Sequence, residues 1–300
     1  YGSLIDVGVR VAPVALLVIG MTLVIATRGI DLSVGAVMAI TGAVAATLVA
    51  DGQPVPVVLA VSLALGLLCG LWNGVLVAFL DIQPIIATLI LMVAGRGIAQ
   101  LVTGGVILTF NSDAFSFLGS GAVLGVPMPI LIWLTMGAAV GLAVRRTALG
   151  LLIEAVGINR RAAMLVGVRA RFLILATYAI SGLCAAMAGM IVTADIHGAD
   201  ANNAGLWLEL DAILAVVIGG TSLAGGRFSI TASLIGALII QALNTGILMS
   251  GWPPEFNLIV KAVVIVAILT LQSPAVADQV TMLKGLTARR KACLLYTSDA

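Results

Sequence analysis

The stretch closest to a nucleotide-binding motif covers residues 219–227 and reads GGTSLAGGR. Gly220 and Gly225 have the Gly-x-x-x-x-Gly spacing of a phosphate-binding loop. Such a loop continues with Lys, which reaches the phosphates, and with Ser or Thr, which holds magnesium, whereas this chain continues with Gly226 and Arg227. We therefore interpret the stretch as a sharp turn between two membrane spans. The sequence contains no other ATP-binding motif and no catalytic constellation.

Two ionisable residues, Asp31 and Arg96, stand within otherwise apolar stretches. A charged side chain at the centre of a membrane helix costs about 2.5–3.5 kcal/mol on insertion scales. We therefore expect Asp31, in the stretch GIDLSVG at 29–35, to lie at a helix break or in a polar cavity, with Ser33 capping the next helix. The alternative is a simple turn. Arg96 needs a partner, such as an acidic residue, or a water-filled cavity.

Uncharged polar side chains recur within or near the apolar spans. Such groups suit a path for a hydroxyl-bearing solute, which loses water on entry and must be met by hydrogen-bonding groups without a fixed charge. The same groups also join helices, at about 0.6 kcal/mol each on average, and both roles stay open for every one of them. Together with Asp31 and Arg96, the candidates for a translocation path are Trp72, Asn73, Gln100, Tyr178, Ser181, Gln241 and Asn244.

The composition places the chain in a membrane. It is 61% hydrophobic and 9% charged, with a mean hydropathy of +1.22, whereas soluble domains carry about 25% charged residues. Apolar runs of about the 20 residues that cross a bilayer recur from end to end, so we predict an all-α, polytopic integral membrane protein. The predicted domains are a transmembrane domain, 1–272, and a cytoplasmic tail, 273–300. The nine predicted spans are 9–27, 34–50, 55–80, 85–103, 129–144, 172–194, 210–224, 228–250 and 256–271.

The distribution of arginine and lysine sets the predicted topology. Residues 145–171 and the tail are basic and are therefore cytoplasmic. Four predicted spans lie between them, which returns the chain to the same side, and the acidic segment 195–209 is external. Counting five spans back from 145 places Tyr1 outside, so we expect a further span upstream of it. Residues 291–300 do not continue the preceding pattern, and we interpret them as an artefact of sequencing or gene prediction.

The cytoplasmic loop 145–171 contains apolar residues as well as arginines. Apolar residues recur in it at roughly helical spacing among polar positions, which predicts a short amphipathic helix that presents an apolar face to a protein outside the membrane. The alternative is an arginine-rich loop that only sets topology. The apolar residues are Leu152, Ile153, Val156, Met164 and Leu165.

The same loop resembles the coupling loop of carbohydrate ABC importer permeases of the ribose and galactose class. The resemblance is carried by Glu154, Ala155, Val156 and Gly157, followed by Asn159, Ala162, Ala163, Gly167 and Val168. The GGTSLAGGR and GIDLSVG stretches are similar to two further signatures of this family, although the family usually has Gly where this chain has Arg28. Residues 198–220, 83–97 and 110–112 are similar to the permeases of galactofuranose importers, and the likeness covers about residues 3–272.

The resemblance implies a transport subunit rather than an enzyme, in a bacterial inner membrane. Its expected partners are an ATP-binding cassette subunit that binds ATP and magnesium, a second permease in a heterodimer, and a periplasmic sugar-binding protein. The chain itself needs no cofactor, metal or nucleic acid. The residues expected to couple it to the ATP-binding subunit are Glu154, Ala155, Gly157, Asn159, Ala162, Ala163 and Gly167.

The external segment is the candidate docking surface for the periplasmic protein, and a solvated loop is the alternative. The docking candidates are Asp195, His197, Asp200, Asn202 and Trp207. A rival interpretation of the whole chain is an ion-coupled secondary transporter. Its expected mark is an ionisable coupling residue deep in the helices, for which only Arg96, Lys261 and Asp31 qualify.

Overall fold

The computed structural model describes residues 2–251 and 256–272, and this part of the chain is mainly helical. The helices are α1 (Gly2–Ala26), α2 (Val34–Ala50), α3 (Val55–Ala78), α4 (Pro84–Thr103), α5 (Asp113–Ser120), α6 (Met128–Arg146), α7 (Leu149–Ile158), α8 (Arg160–Leu165), α9 (Ala170–Asp195), α10 (Leu208–Ile218), α11 (Ile230–Met249) and α12 (Phe256–Gln272). The strands are β1 (Leu108–Thr109), β2 (Ala122–Val123), β3 (Val126–Pro127) and β4 (Gly198–Ala199).

Every predicted span corresponds to a helix, but the helices differ in length. Six of the described helices, α1, α3, α4, α6, α9 and α11, are long and apolar enough to cross a membrane. Helices α2 and α12 have 17 residues each, and α10 has 11. Eleven residues rise by only about 16 Å, roughly half of a bilayer core about 30 Å thick. The expectation of a full helical span over 210–224 is therefore wrong, and the total of nine spans stays a prediction.

Helix α9 organises the packing because it lies against α1, α2 and α3. Glycines make the contact with α3 close: a side chain on Gly66 would meet the Gly182 carbonyl oxygen at 2.6 Å, and one on Gly70 would meet the Tyr178 carbonyl oxygen. Gly74 lies against Leu175 in the same way. Stripes of small residues let helix backbones approach in this manner.

The chain turns group at two ends of the first compact unit, which comprises residues up to Leu243. At one end, β1 pairs antiparallel with β4, which joins the segment after α4 to the segment after α9. At the other end, the Arg160–Asp81 ion pair joins the junction of α7 and α8 to the turn between α3 and α4. The hydrogen bond from Gly226 N to the Ala26 carbonyl joins the turn before α11 to the end of α1. This grouping agrees with the predicted alternation of spans. We name the second end cytoplasmic and the first end external after the predicted topology, which rests on the arginines and stays a prediction.

The predicted amphipathic helix of the cytoplasmic loop is two helices rather than one. Asn159 lies between α7 and α8 in an extended conformation (φ −155°, ψ 99°) and interrupts the helical run. Its side-chain oxygen accepts a hydrogen bond from Ala162 N at 3.0 Å, so Asn159 caps the first turn of α8. Local side-chain hydrogen bonding of Asn therefore outweighs the apolar periodicity here.

The described residues from Asn244 on belong to a second compact unit, so the unit boundary falls within α11. This second unit contains the end of α11 and helix α12. The predicted cytoplasmic tail, 273–300, and its expected artefactual end lie outside the described residues.

Candidate functional site

The centre of the first unit is a polar network around Asp31, in the break between α1 and α2. Asp31 is 1% exposed. Its Oδ1 accepts hydrogen bonds from Ser33 N (3.1 Å) and Ser33 Oγ (2.6 Å), and its Oδ2 accepts one from Ser181 Oγ at 2.8 Å. Asn73 Nδ2 donates to Ser33 Oγ at 2.8 Å. The predicted helix break is present, but Ser33 bonds to Asp31 instead of capping α2, so the predicted cap is wrong.

The network lies deep in the bundle. Ser181 is eleven residues into α9, a distance of about 16 Å along the helix, which is roughly half the thickness of a bilayer core. A carboxylate at this depth needs hydrogen-bond donors to replace water. The two serines supply them, which explains how Asp31 is accommodated among apolar helices.

A second set of contacts holds the backbone of the same break. The Ile30 carbonyl accepts hydrogen bonds from Thr88 Oγ1 (3.3 Å) and Tyr178 Oη (3.5 Å). A side chain on Gly29 would come within 2.6 Å of Tyr178 Oη, so the close approach requires glycine. Sequence reasoning missed Thr88, because a threonine inside an apolar run carries no signal of a contact 58 residues away.

Arg28 connects this break to the loops at the cytoplasmic end. Its Nη2 donates to the Ile158 carbonyl at the end of α7 (2.8 Å), and its Nε donates to the Ala224 carbonyl in the turn before α11 (2.7 Å). Arg28 has φ 65°, the left-handed region that favours glycine. A glycine at this position would adopt the same conformation without strain. The two hydrogen bonds offset the roughly 1–2 kcal/mol of backbone strain that a side chain incurs there.

Gly157 lies at the same junction. It is buried, and a side chain on it would meet the Ala26 carbonyl oxygen and, at 2.6 Å, Gly226 N. Gly226 N itself donates to the Ala26 carbonyl at 3.0 Å. Three segments of the chain, namely the end of α1, the end of α7 and the turn 219–227, therefore meet where Gly157 leaves room for them.

A second link joins the cytoplasmic loop to the turn between α3 and α4. Arg160 Nη1 forms an ion pair with Asp81 at 2.9 Å, and Arg160 Nη2 donates to the Ala78 carbonyl at 2.9 Å. A cavity of about 230 Å³ lies among these contacts. It is lined by Arg28, Gln83, Val156, Arg160 and Tyr178, among others. The cavity therefore lies between the cytoplasmic loop and the helix break that carries the polar network.

The remaining coupling candidates differ in burial: some pack inside the protein and others are exposed on its surface. Ala163 is buried, like Gly157, whereas Ala155, Ala162 and Gly167 are exposed and Glu154 is half-buried. Large apolar side chains stand beside the exposed set: Leu151 is 74% exposed and Leu165 is 88% exposed. The outward face of α7 and α8 thus carries exposed apolar side chains, but the predicted face is wrong in part. Met164 and Leu165 are exposed, whereas Ile153 and Val156 are buried in the internal packing and Leu152 is half-buried. Gly157 and Ala163 belong to the internal packing, where sequence reasoning expected a contact with another subunit.

At the external end, Arg96 holds the segment that follows α9. Its Nη1 donates to the carbonyls of Ala204 (2.6 Å) and Ala201 (3.1 Å). One turn further along α4, Gln100 Nε2 donates to Asn202 Oδ1 at 2.8 Å. The direct partners of Arg96 are therefore backbone carbonyls rather than an acidic side chain or a water-filled cavity.

Asp200 shapes the turn that Arg96 holds. Asn203 Nδ2 donates to it at 2.7 Å, and the backbone N–H groups of Asn202 and Asn203 donate at 3.0 and 3.2 Å. The Asn203 amide lowers the pKa of the Asp200 carboxyl, desolvation opposes this shift, and the two backbone donors and the charge of Arg96 lower the pKa further. The external segment is therefore a folded turn, but Asn202 and Asn203 are exposed, so the docking surface and the solvated loop both stay open.

The start of α10 meets the start of α2 below this turn. A side chain on Gly35 would lie against the Gly205 carbonyl oxygen and 2.6 Å from Glu209 Oε2. Glu209 is 4% exposed, and its Oε2 makes no hydrogen bond within the described part of the chain. Two helices thus begin side by side within the bundle. Sequence reasoning missed Glu209, although an acidic residue opening an apolar run is visible in the sequence.

Within the first unit, the path candidates Trp72 and Gln241 make no hydrogen bond to the Asp31 network among the described residues. Trp72 is 55% exposed on the outer side of α3, whereas its neighbour Asn73 is fully buried. Gln241 lies on the part of α11 in the first unit, and Asn244 lies in the second unit and is buried. Their roles in a translocation path stay predictions.

The docking candidates lie at the external end of the first unit. Asp195 and His197 are exposed where α9 ends, and His197 has φ 54°, with its carbonyl accepting from Phe110 N at 3.1 Å. Asn202 is exposed, and Trp207 is 51% exposed with φ 66°. No group of metal-ligating side chains occurs in the part of the chain that the structure describes. The docking role stays a prediction.

Long apolar helices packed around a polar centre define the class of a multi-pass membrane protein. The chain matches the family model of the permease component of branched-chain amino acid transport systems over residues 3–269, and it belongs to this permease family.

Curated relatives in this family are sugar permeases. The chain is 60% identical to the galactofuranose transporter permease protein YtfT of Escherichia coli K12, over 97% of this chain and 84% of the relative. It is 42% identical to the fructose import permease protein FruF of Bifidobacterium longum NCC 2705, over 97% and 84%. It is 44% identical to the ribose import permease protein RbsC of Escherichia coli K12, over 84% and 79%. No solved structure matched the chain.

Proposed function

We propose that this chain is the membrane-spanning permease subunit of an ATP-driven importer that carries galactofuranose across the bacterial inner membrane. The observation that carries the proposal is the 60% identity to a galactofuranose transporter permease over 97% of this chain. Membership of a family of transport-system permease components favours this function over the ion-coupled secondary transporter. ATP and magnesium belong to a partner ATP-binding subunit, and the further partners are a second permease and a periplasmic sugar-binding protein.

The polar network supports a neutral, hydroxyl-rich substrate. Both oxygens of Asp31 already accept hydrogen bonds from serine hydroxyls. Asn73 Oδ1 is fully buried and has no hydrogen-bond partner among the described residues, so it becomes an acceptor for a substrate hydroxyl only when the helices around the network move apart. A phosphorylated solute would need a cluster of arginines or lysines, whereas the network consists of one carboxylate with hydroxyl and amide groups. A monosaccharide suits these groups.

The contacts at the cytoplasmic end support a coupling role for the loop. Arg28 ties the end of α7 to the break that carries Asp31, and Arg160 ties α8 to the α3–α4 turn. When the ATP-binding subunit moves α7 and α8, these two links carry the displacement to the helices around the polar network. Alternating access then follows from a shift between two arrangements of the same helices.

The test is uptake into proteoliposomes that contain the complete importer. Labelled galactofuranose, ribose and a phosphorylated sugar are compared with ATP present, and an importer with a hydrolysis-deficient ATP-binding subunit is the matched control. We expect ATP-dependent accumulation of galactofuranose above that of ribose and no accumulation of the phosphorylated sugar. Preference for ribose would overturn the substrate assignment. Equal uptake with the hydrolysis-deficient subunit would overturn the ATP-driven mechanism.

A further inference from the structure

A groove runs along the membrane face between α6 and the beginning of α11. It has a volume of about 380 Å³, and most of its lining is apolar, including Trp133, Leu142 and Leu234. Small residues of α6 create the space: a side chain on Gly141 would meet no atom within 4 Å. Leu142 is 56% exposed at the rim, so the groove is open to its surroundings.

One end of the groove is polar and positively charged. Arg145, Ser229 and Thr231 line it there, and Arg145 Nη2 donates to Thr231 Oγ1 at 3.3 Å. No ion pair of Arg145 occurs within the described residues, so its charge is not balanced by a carboxylate there. Arg146 and Arg227, adjacent in sequence to lining residues, are also exposed. By the distribution of arginines, this end lies at the cytoplasmic surface of the membrane.

The length of the groove corresponds to one leaflet. Trp133 and Arg145 are twelve residues apart on α6, a separation of about 18 Å along the helix. The hydrocarbon part of one leaflet is about 15 Å deep, half of the roughly 30 Å core. A chain that enters beside Arg145 and follows the groove to Trp133 therefore crosses the depth of the cytoplasmic leaflet.

We propose that this groove binds an anionic phospholipid of the cytoplasmic leaflet, with one acyl chain along Gly137 and Gly141 and the phosphate at Arg145. A guanidinium matches a phosphate through two parallel hydrogen bonds. Ser229 Oγ and Thr231 Oγ1 lie 3.0 Å apart and share one hydrogen bond, which leaves one hydroxyl proton of the pair to donate to the phosphate. Basic pockets between membrane helices on the cytoplasmic side bind lipid headgroups in this way. An apolar helix of another subunit would fill the groove but would leave the charge of Arg145 unbalanced. The site is independent of the transported sugar.

The experiment uses the complete importer reconstituted in nanodiscs that contain phosphatidylglycerol and phosphatidylcholine. Lipid retained after mild detergent extraction is counted by native mass spectrometry. We expect phosphatidylglycerol to be retained in preference to phosphatidylcholine. Arg145→Gln lowers the affinity for phosphatidylglycerol roughly tenfold, the effect of losing a direct hydrogen bond between two charged groups. Arg146→Gln, which changes the same charge outside the groove lining, is the matched control and retains the lipid.

A second variant separates the groove from the charge. Gly141→Leu places a side chain in the open space and removes bound phosphatidylglycerol while Arg145 remains. Equal retention in the Arg145→Gln and Arg146→Gln variants, or equal retention of the two lipids, would overturn the proposal. A disulfide cross-link from a cysteine at position 141 to the second permease would also overturn it, because a protein helix would then occupy the groove.

Discussion

The guanidinium of Arg28 lies 2.8 Å from the carbonyl of Ile158, across 130 residues of sequence. This hydrogen bond connects the last residue of α7 with the helix break that carries Asp31. The same guanidinium holds Ala224, so one side chain joins three loops at the cytoplasmic end. A movement of α7 therefore also moves the helix break that carries Asp31, as long as these hydrogen bonds persist.

Replacing Arg28 tests this connection. Arg28→Gly removes two hydrogen bonds that are exposed to water, which limits each to about 0.5–1.5 kcal/mol, but it also relieves the strain of φ 65°, so stability should change by less than about 2 kcal/mol. Coupling should fall, with less sugar transported per ATP hydrolysed. The measurement is the ratio of uptake to hydrolysis in proteoliposomes. Arg10→Ala, an exposed arginine on α1 well away from these loops, is the control. An unchanged ratio in the Arg28 variant would exclude the connection.

Gly157→Val should disrupt the junction of α1, α7 and the turn 219–227. The added side chain would meet the Ala26 carbonyl and Gly226 N, and overpacking of this kind costs about 1–3 kcal/mol. We expect a lower unfolding temperature in detergent together with less substrate-stimulated ATP hydrolysis. Gly97→Ala is the matched control, because a side chain there meets no atom within 4 Å. If both variants unfold at the same temperature, Gly157 is not packed as described.

Asp31→Ala should destabilise the polar centre by about 1–3 kcal/mol, because the buried Ser33 and Ser181 hydroxyls lose their acceptor. Uptake should fall with it. Ser181→Ala removes one donor and should cost less. The double variant should cost less than the sum of the two single variants, since the residues share a hydrogen bond. Denaturation of the purified permease measures the three free energies. Strict additivity would show that the contact contributes nothing to stability.

Arg96→Met should loosen the external segment while leaving α4 apolar and intact. Two hydrogen bonds from a charged donor are lost, at about 1.5–3 kcal/mol each, so amides of residues 200–205 should exchange with solvent faster. Hydrogen exchange followed by mass spectrometry gives the rates. Gln100→Leu removes only the contact with Asn202 and should have a smaller effect. Unchanged exchange rates in Arg96→Met would show that the turn is stable without the hydrogen bonds of Arg96.

The Asp200 turn should weaken in acid. The folded-state pKa of Asp200 lies below its ordinary value of 3.8, so its stabilisation is complete above that value and is lost as pH falls through the folded-state pKa. Limited proteolysis of the external segment between pH 5 and pH 3 should show cleavage rising only near the acidic limit. Asp200→Asn should remove most of this dependence, and an equal rise in that variant would assign it to another group.

Local features of the sequence determined the helices and the position of the break. The predicted span 34–50 coincides with α2, and 85–103 differs from α4 by one residue, because the length of an apolar run is a property of contiguous residues. Asp31 was predicted at a helix break for the same reason, since the insertion cost of its charge depends on its immediate neighbours.

Only the tertiary structure decided which side chains meet. Trp72 and Asn73 are adjacent and were both path candidates, yet one points outward and the other is buried. In a helix that is apolar on all sides, periodicity does not mark the buried face, so the sequence cannot separate them. Arg28 and Arg96 likewise donate to backbone carbonyls more than 100 residues away in sequence. Because every residue has a backbone carbonyl, the residue types in the sequence do not identify the acceptor. Packing alone selects the carbonyls that lie within reach.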